Sequence, residues 1–335
     1  MNENMKYIGR TKQTGIYIGK LFRMFVFQSD WKVIPMAAVI AAIVCSVIGA
    51  TMNKTMEGTL RGAFALSCIC IWNGMFNSIQ SVCRERAIIK REHRSGMHIS
   101  SYVAAHMVYQ AFICIGQSIV ILVVMNISKV KLAETSFITG SSTIDMAITF
   151  FLITYAADMM ALLVSSVVKN PTTAMTLVPF LLIFQLIFSG SFFSFGEKSM
   201  ANKASNFTIS KWGIVSMCSV GYYNDLPMTS LWTAFEKMKD LKIEHSTLEK
   251  LDADREIVLI LSQLEGYKMG DILDELKKNG TDEIIKKKCG ENAQKAEYES
   301  NSMVIEDSWS NLILFTLLFA GLSVVSLKFI DKDKR

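Results

Sequence analysis

Apolar residues occur along this chain in long runs that are separated by short polar stretches. Crossing the hydrocarbon core of a bilayer, about 30 Å thick, takes roughly 20 helical residues at about 1.5 Å each. Six runs approach or exceed this length, at residues 33–51, 62–83, 99–126, 146–168, 172–195 and 310–327. The pattern therefore predicts an all-α, polytopic membrane protein with six transmembrane helices.

The polar stretches divide the chain into four parts. Residues 1–32 form a tail with an amphipathic helix, and residues 33–195 hold five spans with a charged connection at 84–98. Residues 196–309 form a long polar segment, and residues 310–335 hold the sixth span and a second tail. The first tail is too long and too charged for the leading part of a cleaved signal peptide, so we expect the first span to be retained.

Lys and Arg residues are distributed unevenly among the loops. The first tail carries six, the connection at 84–98 carries five and the tail after residue 327 carries four, whereas the two intervening short loops carry two each. Basic residues favour the cytoplasmic side. We therefore expect both termini to be cytoplasmic, the segment 196–309 to be extracytoplasmic, and the chain to lie in the plasma membrane.

Composition agrees with this interpretation. Of 335 residues, 51% are hydrophobic and 19% charged, which is too apolar for two ordinary soluble domains. The net charge is +5, but residues 196–309 carry 15 basic against 20 acidic side chains, so the positive charge belongs to the membrane part. No basic patch with interleaved aromatic residues occurs, and we expect lipid rather than nucleic acid as a partner.

The outer segment has helical features of its own. Leu231, Phe235, Met238 and Leu241 recur at helical spacing, and a later helix is expected to begin behind Thr281 as N-cap and to end before Gly290. We expect a small helical insert here. Cys218 and Cys289 both lie in this outer segment, and the sequence leaves open whether they form a disulfide.

The sequence contains few signs of catalytic chemistry. The common metalloprotease, thiol-redox and nucleophile-elbow motifs are absent, and the four histidines lack metal-ligand spacing. The stretch from Gly49 to Thr55 resembles a phosphate-binding loop, but Asn53 replaces the glycine needed before Lys54. We therefore expect no catalytic residue, no metal and no cofactor in this chain.

The connection at 84–98 is more charged than a short turn requires. Its basic residues suit the cytoplasmic side, but that role leaves Glu85 and Glu92 unexplained. Mixed charges on a helical hairpin suggest docking onto a partner protein.

The stretch 83–108, "CRERAIIKREHRSGMHISSYVAAHMV", resembles ABC type-2 transporter permeases, particularly the white-like G subfamily. The likeness is carried by Glu-Arg, an apolar pair, Arg-Glu, a Gly-Met step and Ser-x-Tyr in that order. "GKLFRMFVFQSDWK" at 19–32, "LIFSGSFF" at 186–193 and "ISKWGIVSM" at 209–217 also resemble that family, whereas residues 226–307 have no counterpart. Met97 and His106 depart from its usual aromatic and basic residues.

The resemblance implies a transport subunit that works as a homodimer or with a related permease. It also implies a cytosolic ABC ATPase, which we expect as a separate chain that carries ATP and Mg²⁺. The resemblance makes the connection at 84–98 the coupling element. The side chains that it assigns to ATPase coupling are Arg23, Glu85, Arg86, Arg91 and Glu92.

Polar residues inside the predicted spans are candidates for a substrate path. Asn73, Asn77 and Gln80 share one helical face, which serves either helix–helix hydrogen bonding or a path or dimer seam. Asp158 lies mid-span, where an ionised carboxylate costs at least about 2.5 kcal/mol, so it must face the bundle, a cavity or a partner. His106 is a candidate partner, although it also suits a position at the membrane interface.

The fifth span carries an aromatic stripe beyond a proline. Pro179 is expected to kink the helix, and Phe180, Phe184 and Phe188 follow at i, i+4, i+8. Such a stripe is commonly packing, but the resemblance places this helix beside the cavity, so Phe184 and Gln185 join the substrate-path candidates.

The sequence thus predicts the permease subunit of an ATP-driven exporter for a hydrophobic or amphipathic substrate. The alternative is a receptor, immunity or scaffold protein that binds a partner through the outer helices. An intramembrane enzyme built on Asp158 alone lacks a second catalytic group.

Overall fold

The computed structural model describes residues 8–27, 30–49, 51–130, 132–133, 135–191, 199–230, 232–233, 274 and 276–329. All regular structure in these ranges is helical. Its α-helices are α1 Arg10–Phe27, α2 Val33–Ile48, α3 Met56–Ser78, α4 Ser81–Arg94, α5 Ile99–Ile127, α6 Ser142–Val167, α7 Pro171–Ile187, α8 Met200–Ser205, α9 Ile209–Val220, α10 Thr281–Asn292 and α11 Ser302–Lys328.

Four stretches of helix are long and apolar enough to cross a bilayer. They are the stretch Met56–Arg94, which comprises α3 and α4, and the helices α5, α6 and α11. These stretches make the chain a membrane protein. The remaining two predicted spans correspond to α2 and α7, which have only 16 and 17 residues. Helix α7 continues through Pro179 and ends at Ile187, well before the predicted end at 195. Residues 192–198 lie outside the described ranges.

Helix α3 begins six residues before the predicted apolar run. Thr55 caps it, because its hydroxyl accepts a hydrogen bond from Gly58 N at 3.1 Å. Glu57 suits the positive end of the helix dipole in the first turn. The apolar run alone did not include this capped first turn, which contains the charged Glu57.

Helix α6 is at the centre of the bundle and packs most extensively against α3 and α11. The indole of Trp309 on α11 donates to Thr149 Oγ1 on α6 at 3.0 Å and to Ser216 Oγ on α9 at 3.1 Å. The two hydroxyls are fully buried and bond each other at 2.9 Å. Three helices are therefore joined by one polar cluster within an apolar core.

Helices α3 and α6 approach each other closely at Gly74. A Cβ atom at this position would lie 2.1 Å from the carbonyl oxygen of Thr154 and 3.0 Å from the backbone nitrogen of Asp158. Only glycine allows the two backbones to approach this closely, a common way of packing membrane helices.

Residues 229–230, in the polar segment 196–309, dock on the end of α3 that is opposite α4. Glu57 accepts hydrogen bonds from the backbone N–H of Thr229 at 2.9 Å and of Ser230 at 2.6 Å. Helix α10 begins at Thr281, which was predicted to be its N-cap, so Gly280 occupies the N-cap position instead. The helix also continues through Gly290 to Asn292. The predicted face 231–241 falls almost wholly outside the described residues. All seven cysteines are free thiols, so Cys218 and Cys289 do not form a disulfide.

Gly74→Ala is expected to destabilise the bundle by about 1–3 kcal/mol, because the added methyl group forces α3 and α6 apart. The measurement is the midpoint of thermal unfolding of the purified chain in mild detergent.

Gly321→Ala on α11 is the matched control, since no atom lies within 4 Å of a Cβ at that position. The same methyl group there should leave the midpoint unchanged or raise it slightly. Equal midpoints for both variants would contradict the packing role of Gly74.

Candidate functional site at the α4 end of the bundle

The charged connection predicted at 84–98 is mainly helix. Helix α4 continues to Arg94 and buries Val82, Cys83 and Ile89. The turn into α5 has Gly96 at φ +101°, a conformation that favours glycine. Met97 N closes the turn by donating to Glu92 O at 3.0 Å.

The first turn of α4 is capped by a side chain from α6. Ser165, which is fully buried, accepts hydrogen bonds at its Oγ from the backbone N–H groups of Val82 and Cys83, each at 3.1 Å. These amides are among the four that a helix N-terminus leaves without an intrahelical partner. The start of α4 is therefore fixed to the end of α6.

The reverse connection runs from α4 to the last turn of α6. Arg86 Nη1 donates to the carbonyl oxygens of Ser166 at 2.9 Å and Val168 at 3.2 Å. Those carbonyls lie at the negative end of the α6 dipole, where a cation is stabilising. Each helix thus caps the other.

Helix α1 binds the opposite end of α4 through Gln13. Its amide nitrogen donates to Gly96 O at 3.2 Å, and its amide oxygen accepts from His98 N at 2.9 Å. Gln13 is buried despite its polarity. One side chain therefore spans the turn between α4 and α5.

Two further residues of α1 bind the carboxylates of α4. Tyr17 donates its hydroxyl to Glu92 Oε2 at 2.6 Å, and Lys20 Nζ lies 3.1 Å from Glu85 Oε1 and Oε2. Burial and the Glu92 carboxylate both raise the pKa of Tyr17 well above its ordinary value, so the phenol remains a donor. Together with Gln13, these residues form what we call the α1–α4 clamp.

Gln13, Tyr17 and Lys20 were not predicted from the sequence. Their spacing of i, i+4, i+7 places them on one face of α1, and this pattern was the available signal. The residue predicted on α1, as a contact with an external partner, was Arg23. Its Nε donates to Gly19 O of the same helix at 3.1 Å, and the residue is exposed.

The five predicted coupling residues therefore differ in their surroundings. Glu85 and Glu92 contact α1, and Arg86 contacts α6, whereas Arg23 and Arg91 are exposed. Between α1 and α4 lies an open groove of about 560 Å³. It is lined by Lys20, Arg23, Met24, Phe27, Glu85 and Ile88.

The predicted polar face of α3 lies inside the bundle. Asn77 and Gln117 of α5 form a reciprocal amide pair, with both N···O distances 3.0 Å. Asn73 is buried, and its Nδ2 has no hydrogen-bond partner among the described residues. Gln80 does not belong to the same helix, because α3 ends at Ser78 and Gln80 precedes α4.

Asp158 is 0% exposed and lies between α3, α5 and α6. Its Oδ2 accepts a weak hydrogen bond from Cys114 Sγ at 3.7 Å, and its Oδ1 has no partner among the described residues. His106 is not its partner. Cys114 and His106 are eight residues apart on α5, about 12 Å along the helix.

The two candidates on α7 point in different directions. Gln185 is buried, and its Oε1 accepts from Ser210 N at 3.2 Å, which caps the start of α9. Phe184 is exposed and packs on Phe188, with ring centroids 4.9 Å apart. The structure therefore buries Asn73 and Asp158 in the core, leaves Asn77 half-buried, and places Phe184 on the surface.

The candidate residues described above interact through hydrogen bonds and ion pairs. In the described part of the chain, no three His, Cys, Asp or Glu side chains are grouped to hold a metal ion. At the α4 end, polar contacts fasten one short helix to a peripheral helix and to a core helix, and this allows movement of α4 to reach the bundle.

Comparison with known proteins gives two matches. Residues 20–220 match the ABC-2 type transporter family. The ABC transporter ATP-binding/permease protein Rv1747 of Mycobacterium tuberculosis is 21% identical over 146 residues, which are 44% of this chain and 17% of that protein. The family match covers more than half of the chain, including α4 and the buried polar residues of α3, α5 and α6. The chain therefore belongs to the ABC-2 type transporter family.

Proposed function

We propose that the chain is the permease subunit of an ATP-driven exporter that moves a hydrophobic or amphipathic substrate. A cytosolic ABC ATPase on a separate chain supplies the energy, and ATP and Mg²⁺ bind to that partner. Membership of the ABC-2 type transporter family and the span-length helices support this proposal.

The observation that carries the proposal is the double attachment of α4. Ser165 and Arg86 join it to α6, and Gln13, Tyr17 and Lys20 join it to α1. Hydrogen bonds to charged groups contribute about 1.5–3 kcal/mol each. A force on α4 therefore moves α1 and α6 with it instead of bending a loose loop.

The groove between α1 and α4 is our proposed docking site for the ATPase. Phe27 and Ile88 offer exposed apolar surface there, and Arg23 and the Lys20–Glu85 ion pair offer polar groups. Interfaces commonly combine an apolar centre with a polar rim. Arg91 is exposed on α4 and adds a further cation to this surface.

We assign the chain more closely to the white-like G subfamily, on the order of the motifs in residues 83–108. In this assignment α2 and α7 complete six spans, short helices being tolerated by local bilayer thinning. Both termini and α4 face the cytoplasm, since this side carries most Lys and Arg of the short loops. Two copies, or one copy and a related permease, form the plasma-membrane transporter.

The substrate path follows the polar side chains of α3 and α6, with α7 at its edge. We assign Asn73, Asn77 and Asp158 to its interior and Phe184 to its apolar wall. Gln185 supports the path indirectly, because it positions α9 through Ser210.

The first test is to purify the full chain from its native membrane in mild detergent and to identify the proteins that accompany it. A cytosolic ABC ATPase recovered at about one copy per permease, with ATP hydrolysis, is the expected result. Recovery without an ATPase would overturn the proposal and favour a receptor or scaffold that acts through the outer segment.

Arg91→Glu is expected to weaken ATPase binding without lowering the thermal midpoint, because Arg91 is exposed on α4. The loss should be up to about fivefold if one exposed ion pair is removed, and greater if the new charge is repelled. Arg86→Ala should instead destabilise the permease itself by about 1–3 kcal/mol, because it removes the Arg86 donor from Ser166 O and leaves Val168 O with only the thiol of Cys83.

Affinity for the ATPase and the unfolding midpoint are measured on both variants. A destabilised Arg91→Glu chain, or an Arg86→Ala chain of unchanged stability, would contradict these separate roles.

Tyr17→Phe is expected to uncouple the transporter, because it removes the hydrogen bond to Glu92 while preserving the ring. The number of substrates moved per ATP hydrolysed should fall. Tyr222→Phe is the control, since its hydroxyl donates to Thr135 O at 3.1 Å near the start of α6, away from α4. An unchanged ratio in Tyr17→Phe, or an equal loss in the control, would count against the clamp.

Asp158→Asn tests the buried carboxyl group in reconstituted vesicles. Because Asp158 lies in the proposed path, we expect transport to fall while basal ATP hydrolysis continues. If folding, coupled hydrolysis and transport were all unchanged, Asp158 would have no part in the path.

A further inference from the structure

An amphipathic cavity of about 410 Å³ lies between helices α1 to α5 and α7. It borders the groove described above, with which it shares Met24 and Glu85. Its volume is within the range of small-molecule sites. Its polar lining includes Asn77, Gln80, Arg84, Glu85, His106 and Gln110. Its apolar lining includes Leu21, Met24, Val33, Phe76, Ile113 and Met175.

Two buried side chains in this lining lack hydrogen-bond partners. His106 is 2% exposed, and neither ring nitrogen has a partner among the described residues. Gln110 is also 2% exposed, and its Oε1 has no partner in the same part of the chain. Its Nε2 donates to Ser78 Oγ at 2.8 Å, and this bond fixes the orientation of the amide.

Unpartnered polar groups are rare in protein interiors. Here two of them line one cavity and lie one helical turn apart on α5. This arrangement fits a ligand that supplies both a hydrogen-bond donor and an acceptor, such as a hydroxylated phosphate ester.

The charged side chains that line the cavity indicate the sign of the charge on that ligand. Glu85 is neutralised by Lys20, with which it forms an ion pair at 3.1 Å. Arg84 forms no ion pair with any described residue. The cavity therefore has an excess of one positive charge, which favours an anionic head group.

We propose that this cavity binds one anionic phospholipid, with its phosphate near Arg84 and His106 and an acyl chain along the apolar wall. The apolar lining from α1, α2, α3 and α7 argues for a lipid source rather than a free phosphate. This inference does not require the proposed transport function, because the site lies within one chain and lipid binding is measured without the ATPase. The cavity borders the ATPase groove, with which it shares Met24 and Glu85.

The test measures binding to the delipidated full chain by native mass spectrometry and by the shift of its thermal midpoint. The three probes are phosphatidylglycerol, phosphatidylcholine and inorganic phosphate. Phosphatidylglycerol should bind and raise the midpoint, phosphatidylcholine should bind at least about tenfold more weakly, and inorganic phosphate should have no effect.

Arg84→Gln should weaken phosphatidylglycerol binding about tenfold or more, because it removes a charge-assisted contact. Lys12→Gln removes the same charge from an exposed position on α1 outside the cavity and should leave binding unchanged. His106→Leu should also weaken binding. If that variant fails to fold, Arg84→Gln against Lys12→Gln still decides the question.

Four outcomes would overturn the proposal. Equal binding of both lipids would remove the role of the anionic head group, and binding of inorganic phosphate alone would make the site one for a free anion. Equal binding by Arg84→Gln and Lys12→Gln would place the lipid elsewhere. No binding of any probe would leave a cavity occupied by water only.

Discussion

A helix end that lies in or near a membrane must find partners for backbone N–H and C=O groups that have none within the helix. At the junction of α4 and α6, each helix provides these partners for the other: Ser165 accepts from two α4 amides, and Arg86 donates to two α6 carbonyls. Because an unsatisfied buried backbone group costs several kcal/mol in an apolar medium, the junction cannot open without a replacement partner. The position of α4 is therefore tied to the position of α6.

The connection between α4 and α6 extends into the core, because α6 is also the helix against which α3 packs most extensively. At Gly74 the backbones of α3 and α6 are in contact, so a displacement of either helix is passed to the other at Thr154 and Asp158. Close-packed interiors transmit displacements instead of absorbing them. The α1–α4 clamp is at one end of this connected path, and the carboxyl group of Asp158 is at the other.

Much of this arrangement followed from the sequence, since long apolar runs and capped helix starts are local signals. The runs at 99–126 and 146–168 correspond closely to α5 and α6. The lengths of α2 and α7 were less predictable, because an apolar run shows where a helix is allowed and not where its last hydrogen bond forms. The predicted ATPase contacts on α4 remain a prediction, although three of the four side chains also have partners in α1 or α6.

The polar stripe of α5 shows why site residues were harder to predict than spans. His106, Gln110, Cys114 and Gln117 recur at i, i+4, i+8, i+11 and face the bundle, yet they have different roles. Gln117 has a reciprocal amide partner in Asn77 and fixes α5 to α3, whereas His106 and the oxygen of Gln110 line open space and have no hydrogen-bond partner among the described residues. The spacing is the same in both cases, and the cavity forms where neighbouring helices, α1 and α7 among them, surround one end of α5. A sequence pattern therefore identifies the helical face, and the tertiary arrangement decides which part of that face packs and which part can bind a ligand.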